Sequence, residues 1–269
     1  MINCFIFTAL PCEAKAFISQ FKLKKDASHH LFTIYSSEHL SLTVTGSGKI
    51  AMAAAVAYTL ASLKSVKKPV LINAGIAGHQ TAALGQLFSV HKISDADNNR
   101  NYYPQSIIQI DCLSLPVITV SKPENQYQTT SLYDMEASGF YEIAARFTTT
   151  ELIQVFKVVS DNQTTGIEHI NAKKVSAWML TVIETMTTSI QSLQALATNL
   201  NPAILDDYEW LQAHYYFNVN HSYQLKAHLQ RWNVITLSAD LNLQEQRFNH
   251  SKDVLNWLQQ KIDNQDFRL

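Results

Sequence analysis

Glycine is scarce in this chain, with seven among 269 residues, and no internal repeat or low-complexity tract is present, so the few glycines that do occur carry positional meaning. Cysteine is scarcer still. Cys4, Cys12 and Cys112 form an odd set without a C-x-x-C pair, which excludes a disulfide framework and suits a reduced compartment. Each is read as a small buried hydrophobe. Long apolar runs are missing as well: the longest uncharged helical stretch, residues 51–63, falls short of the ~20 residues that cross a bilayer. The chain start lacks a basic n-region, and the expectation is a cytoplasmic protein with no membrane partner. Neither sign of charge dominates. With 21 basic and 22 acidic residues, the net charge is -1 and the lysines are scattered among acids, so nucleic acid is not an expected partner. Ten histidines show no H-x-x-x-H spacing, and Asp95-Ala96-Asp97 lacks the glycine and terminal glutamate of a calcium loop. No metal and no cofactor is expected.

What is present is core. Hydrophobic residues make up 46% of the chain, enough for a large α/β domain with an appendage. Short apolar runs at 2–7, 31–36, 40–45, 69–73, 87–93, 107–110, 115–120 and 153–159 read as strands. Helical spacing spans 12–21, 50–63, 134–147 and 168–195. Apolar strands alternating with helices predict a three-layer α/β fold with a mixed, mainly parallel sheet flanked by helices. Beyond residue 195, Asn199-Leu200-Asn201-Pro202 is a breaker and the composition shifts to Gln, Asn, His and aromatics. The expected division is an α/β domain over 1–195 and a mainly helical C-terminal extension over 196–269. In that extension Ser251 is the expected N-cap of a helix whose Val254, Leu255, Trp257, Leu258 and Ile262 form an apolar stripe that should dock on the main domain or a partner subunit.

Gly46, Gly48, Gly75, Gly78 and Gly85 cluster in one short span, in loops that follow strands. Three acids take similar places: Glu13 after the first strand, Glu136 at a helix start, and Asp161 after the strand ending at Val159. Any one of them has an ordinary explanation, because a helix start favours a carboxylate. Together they have a sharper one. If the strands are parallel, all three gather at the carboxyl edge of one sheet, where open α/β sheets bind ligands.

The stretches Thr8-Ala9-Leu10-Pro11-Cys12-Glu13, Thr45-Gly46-Ser47-Gly48-Lys49, Asn73-Ala74-Gly75-Ile76-Ala77-Gly78, Tyr133-Asp134-Met135-Glu136-Ala137-Ser138 and Val159-Ser160-Asp161-Asn162 occur in the order of the nucleoside phosphorylase superfamily. The chain resembles most the methylthioadenosine/S-adenosylhomocysteine nucleosidases and related N-glycosyl hydrolases, over roughly residues 1–195. The resemblance implies cleavage of the N-glycosidic bond of a purine nucleoside through an oxocarbenium-like sugar. It gives Asp161 the role of the acid that protonates the leaving base, and Glu13 that of the base that activates water. Glu136 would hold the sugar hydroxyls with Met135 packed on the sugar, Ser160 would stand beside the acid, and Ala9, Ser47 and Gly78 would line the cleft. It also implies a homodimer.

Three departures bear on the reaction. Asn73 and Ile76 replace the arginine and hydroxyl donors that a phosphorylase offers to phosphate, which tilts the reading to hydrolysis. Lys49 is the nearest remaining cation. Lys157 stands where the nucleosidases carry arginine, and a polar segment from Val120 to Tyr133 replaces their longer loop with its base-stacking aromatic. A phosphate-dependent phosphorylase and a silent nucleoside-binding scaffold are the alternatives.

Overall fold

A computed structural model describes residues 1–200, 204–236 and 239–265, with the backbone alone for 204–206. The first strand, β1 (Ile2–Thr8), is buried on both faces, as a central parallel strand should be. Pro11 opens α1 (Pro11–Gln20), since a first-turn proline has no useful amide to lose, and the Glu13 carboxylate accepts from the exposed Leu10 amide at 2.8 Å. Next come β2 (Lys24–Asp26), β3 (Thr33–Ser36) and β4 (Leu40–Val44). β2 was not legible in the sequence. It is a polar edge strand, paired only to β3, and an edge needs no apolar face.

The alanine-rich α2 (Lys49–Ser62) leads into β5 (Ser65–Gly78), which runs five residues past the apolar stretch 69–73 because its pairing to a later strand continues to Gly78. β6 (Leu87–Asp95), β7 (Asn101–Tyr102), β8 (Leu113–Thr119) and β9 (Leu132–Asp134) follow. Residues 107–110 form no strand: Ile107 is exposed and has no pairing neighbour, so apolar side chains alone did not suffice. The helix expected from residue 134 begins later, as α3 (Ala137–Ala144), because Asp134 is spent at the end of β9 and Glu136 takes the N-cap position. β10 (Ile153–Asp161) is buried throughout, and a 3-10 turn at Ile167–His169 precedes α4 (Ala172–Leu200).

All ten strands join one mixed, mainly parallel sheet. Its centre is four parallel neighbours in the order β4, β1, β5, β10, with β3 and β2 added antiparallel beyond β4. β10 also pairs antiparallel with β6, β6 runs parallel to β8 and β8 to β9, and β9 returns to β5 at Gly78 and Tyr133. The sheet therefore curls back on itself beside the carboxyl ends of β5 and β10. α2 and α3 cover one face, where Met52, Val56 and Phe140 meet Phe5, Phe7, Leu71 and Val155. Burying a phenylalanine contributes roughly 1.5–3 kcal/mol. The alternate residues Cys4, Ile6 and Ile72 are equally buried and point to the opposite face, over which α1 and α4 are tied by Ser176 Oγ donating to the Cys12 carbonyl at 3.0 Å.

Two compact units are present, Met1–Ala197 and Thr198–Leu269. The second holds α5 (Ile204–His214), α6 (Val219–Thr236) and α7 (Ser251–Asp263). Its core is self-contained: Val254, Leu255, Leu258 and Ile262 of α7 pack on Leu211, Leu225, Leu229 and Trp232, with Trp257 partly buried against them. The apolar stripe is thus used within this unit. Its N-cap is His250 rather than Ser251, because Asp253 reaches back to accept from the His250 amide at 3.0 Å.

Candidate active site

Four parallel strands ending side by side present β1, β4, β5 and β10 termini along one edge, and the loops there need little more than short turns. Gly46 and Gly48, at φ 84° and 100°, let the chain leave β4 and enter α2 in a conformation that other residues rarely adopt. A cleft of about 150 Å³ lies at this edge. Ala9, Glu13, Ser47, Gly78, Met135, Glu136, Ser160 and Asp161 all line it, joined by Leu10, Ile76, Val120, Pro123, Glu124 and Tyr133.

Glu13 is held from two elements at once. Its Oε2 accepts from Leu10 N at 2.8 Å and its Oε1 from Ile76 N at 2.9 Å, which pins the carboxylate between the start of α1 and the end of β5. Gly75 makes room for it: a Cβ there would sit 2.9 Å from Oε1. Burial raises the Glu13 pKa to about 7, against the pull of the two amides, and the charge of Glu136 adds to the rise. Near neutrality this group can take up a proton and release it again.

Glu136 lies across the cleft, where its Oε1 accepts from Gly48 N at 2.7 Å and from Ser47 Oγ at 3.1 Å. Burial and the neighbouring Asp134 raise its pKa, with Lys157, Gly48 and Ser47 pulling the other way. Ser47 Oγ also lies 3.9 Å from the Met135 sulfur. Beneath this pair is a buried ion pair, with Lys157 Nζ 2.8 Å from Asp134 Oδ2. Burial works against the ammonium, but Asp134, Glu136 and Glu13 outweigh it and hold the Lys157 pKa raised. Asp134 is further fixed by the Thr119 hydroxyl at 2.7 Å and the Ala137 amide at 2.8 Å.

Asp161, the last residue of β10, is buried with both oxygens engaged. Ser160 Oγ donates to Oδ1 at 2.5 Å, and the Tyr127 hydroxyl donates to Oδ2. Tyr127 had no signal in the sequence: it lies in a polar, aperiodic segment, yet its ring is buried and packs 5.4 Å from the ring of Tyr133. The Asp134–Thr119 contact was equally invisible, because it joins β8 to β9 across an aperiodic segment.

The two positions that bear on phosphate are accounted for. Asn73 is not among the lining residues; its amide donates inward to the Phe7 carbonyl at 3.2 Å. Lys49 reaches Asp95 at 2.8 Å and Asp97 at 2.6 Å, so this lysine and the Asp95-Ala96-Asp97 loop neutralise one another. Among the described residues, no group of three His, Cys, Asp or Glu side chains could hold a metal ion, and no helix is long and apolar enough to cross a membrane.

The fold and the edge-bound cleft define an α/β protein with a mixed, mainly parallel sheet and a site at the carboxyl edge of its central strands. Its particular likeness is to solved nucleosidase structures. The 5′-methylthioadenosine nucleosidase of Arabidopsis thaliana superposes with a TM-score of 0.58 at 16% identity, covering 71% of this chain and 96% of that one. An MTAN from Chlamydia trachomatis gives 0.55 at 19% identity, covering 71% and 100%. A futalosine hydrolase mutant of Helicobacter pylori gives 0.54 at 10%, again covering 71% and 100%. At these identities the likeness is one of fold. No family model and no curated protein matches the sequence. Because the neighbours are covered almost end to end, they have nothing to set against the rest of this chain.

Proposed function

We propose that this protein hydrolyses the N-glycosidic bond of a purine nucleoside or a nucleoside-like metabolite. The observation that carries the reading is the arrangement of three buried carboxylates, Glu13, Glu136 and Asp161, around one cleft, with Glu13 titrating near 7. In this scheme Glu13, fixed by the Leu10 and Ile76 amides, orients a water and takes its proton. Glu136 accepts from the sugar hydroxyls, and Met135 packs on the sugar. Asp161, oriented by Ser160, delivers a proton to the departing base and turns an anionic leaving group into a neutral one. A positioned acid contributes roughly 10²–10⁴-fold. Ala9, Ser47 and Gly78 shape the walls. The structural neighbours, nucleosidases and a futalosine hydrolase, agree with this class of chemistry.

The assignment extends to the whole chain. Residues 1–195 are the catalytic domain and residues 196–269 an extension outside the chemistry, since every lining residue falls between Ala9 and Ile170. Exposed Ile50, Tyr103, Ile107 and Leu113 give the first unit apolar surface for a homodimer. Three free thiols fit a reducing cytoplasm.

The test is free-base release from a panel of purine nucleosides. Wild type should release base from at least one member, and Asp161→Asn should lower that turnover by about 10²-fold or more, because an amide cannot deliver the proton. Binding without any release, by a correctly folded protein, would favour the silent scaffold.

A further inference from the structure

Tyr127 is the most unusual group near the cleft. The segment 120–131 has no regular secondary structure, yet Tyr127 within it is only 4% exposed. Its hydroxyl donates to Asp161, and it lies so close to the strand end that a Cβ on Gly78 would collide with it. The phenol therefore fills the space between Gly78 and Asp161, at the end of the cleft where a leaving base has to meet its proton donor. What remains open is about 150 Å³. Sites that take up ligands of nucleoside size run to roughly 300–1,000 Å³. The Tyr127 hydroxyl takes the place on Asp161 Oδ2 that a leaving base would need.

The segment is fastened by few and separable contacts. Gln80 Nε2 donates to the Tyr127 carbonyl at 3.3 Å, the His79 ring meets the Thr130 carbonyl at 3.1 Å, and Thr129 Oγ1 lies 3.1 Å from the Tyr133 hydroxyl. Strand pairing resumes only at Leu132. Such a segment can swing without disturbing the sheet, because no ladder bond has to break.

We propose that Tyr127 is a latch: it closes the leaving-group end of the empty cleft by bonding to Asp161, and residues 123–131 must withdraw it before a nucleoside can enter. This rests on the proposed reading for the identity of the ligand, but not for the motion itself. The latch competes with substrate for one carboxylate. A hydrogen bond made inside a buried site is strong enough to hold the open form to a minor population, and apparent affinity falls by that fraction.

Tyr127→Phe keeps the ring and removes the bond, so two measurements separate the claims. In ligand-free protein, hydrogen exchange of amides 124–131 should speed up about tenfold relative to wild type, with amides of β1 and β10 unchanged. With 5′-methylthioadenosine as the probe, the Phe variant should show a KM about tenfold lower, and Tyr127→Ala should also bind the probe more tightly in calorimetry. Faster exchange in a protein that cleaves no nucleoside would uphold the latch and sink the hydrolase reading. Unchanged exchange in the Phe variant would overturn the latch, and so would a fall in kcat with KM unaltered, which would make the phenol a proton donor instead.

Discussion

Lys157 Nζ lies 2.8 Å from Asp134 Oδ2, and neither side chain has meaningful contact with solvent. This one buried cation sits among three buried carboxylates, Asp134, Glu136 and Glu13, each of which raises its pKa. It therefore offsets charge that the site would otherwise carry unpaired. Lys157→Met should cost about 3–5 kcal/mol, the usual result of orphaning a buried charge. Any variant protein that folds should also show its acid limb displaced to higher pH, since Glu13 loses the cation that favours its ionised form. Chemical denaturation together with a pH–rate profile checks both. Unaltered stability would mean that the Lys157–Asp134 contact makes no net contribution to the fold.

The pH dependence of the wild type follows from Glu13. As a base it must be ionised, so kcat/KM should rise with pH through an apparent pKa near 7. Stability should run the other way. The folded pKa, about 7, lies above the ordinary 4.5, so the folded state holds this proton more tightly. The associated stability is fully present below pH 4.5 and is lost as pH rises through 7, a change of about 3 kcal/mol from this group alone. Glu13→Gln should remove the acid limb along with about 10²-fold or more of the rate. Its amide nitrogen would also face one of the two amide donors that now bond the carboxylate. An acid limb that survives in a variant retaining measurable activity would assign it to another group.

Gly75 offers a gentler probe of the same carboxylate. A methyl group added there would lie 2.9 Å from Glu13 Oε1, and two amides, one on each oxygen, leave the carboxylate little freedom to retreat. Gly75→Ala is expected to lower kcat by about tenfold or more through misplacement of the base. The strand itself should tolerate the change. Comparable kcat in the variant would show that Glu13 can move without penalty.

Much of this was legible in advance, for physical reasons that differ by element. β1, β5 and β10 announced themselves because a strand buried on both faces must be apolar throughout, and the parallel pairing of those three strands is what brings Glu13 and Asp161 to one edge. Edge strand β2 and the false strand at 107–110 show the limit of that signal: pairing, not hydrophobicity, decides whether an extended segment becomes part of a sheet. The helix expected from residue 134 starts three residues later, because apolar spacing does not reveal that Asp134 ends β9 and pairs with Lys157. Tyr127 was illegible, since nothing in Asn125-Gln126-Tyr127-Gln128 encodes a contact with a residue 34 positions away.

The second unit can be tested separately. Leu258 is fully buried among Leu225, Leu229 and Val254, so Leu258→Ala should destabilise this unit by about 2–5 kcal/mol. Base release should not change, because the described residues that line the cleft fall between Ala9 and Ile170, all in the first unit. Thermal unfolding followed by Trp fluorescence, alongside the activity assay, reads both. A loss of activity matching the loss of stability would tie the extension to the chemistry.

Charge at the cleft favours water over phosphate as the nucleophile of the proposed reaction. A phosphate dianion entering beside Glu13 and Glu136 meets repulsion of about 3 kcal/mol for each unit-charge pair ~5 Å apart at an effective dielectric of ~20. Only a free cation could offset this; no lysine is among the lining residues, and Lys49 and Lys157 are already committed, Lys49 to Asp95 and Asp97 and Lys157 to Asp134. No arginine is among the lining residues, and Asn73 turns its amide inward to the Phe7 carbonyl. A neutral water faces no such penalty and gains a base in Glu13. Base release should therefore proceed at one rate in phosphate-free buffer and in millimolar phosphate, with a free sugar as the second product. Chromatography or phosphorus NMR distinguishes that product from a sugar 1-phosphate, whose formation only when phosphate is added would replace hydrolysis with phosphorolysis.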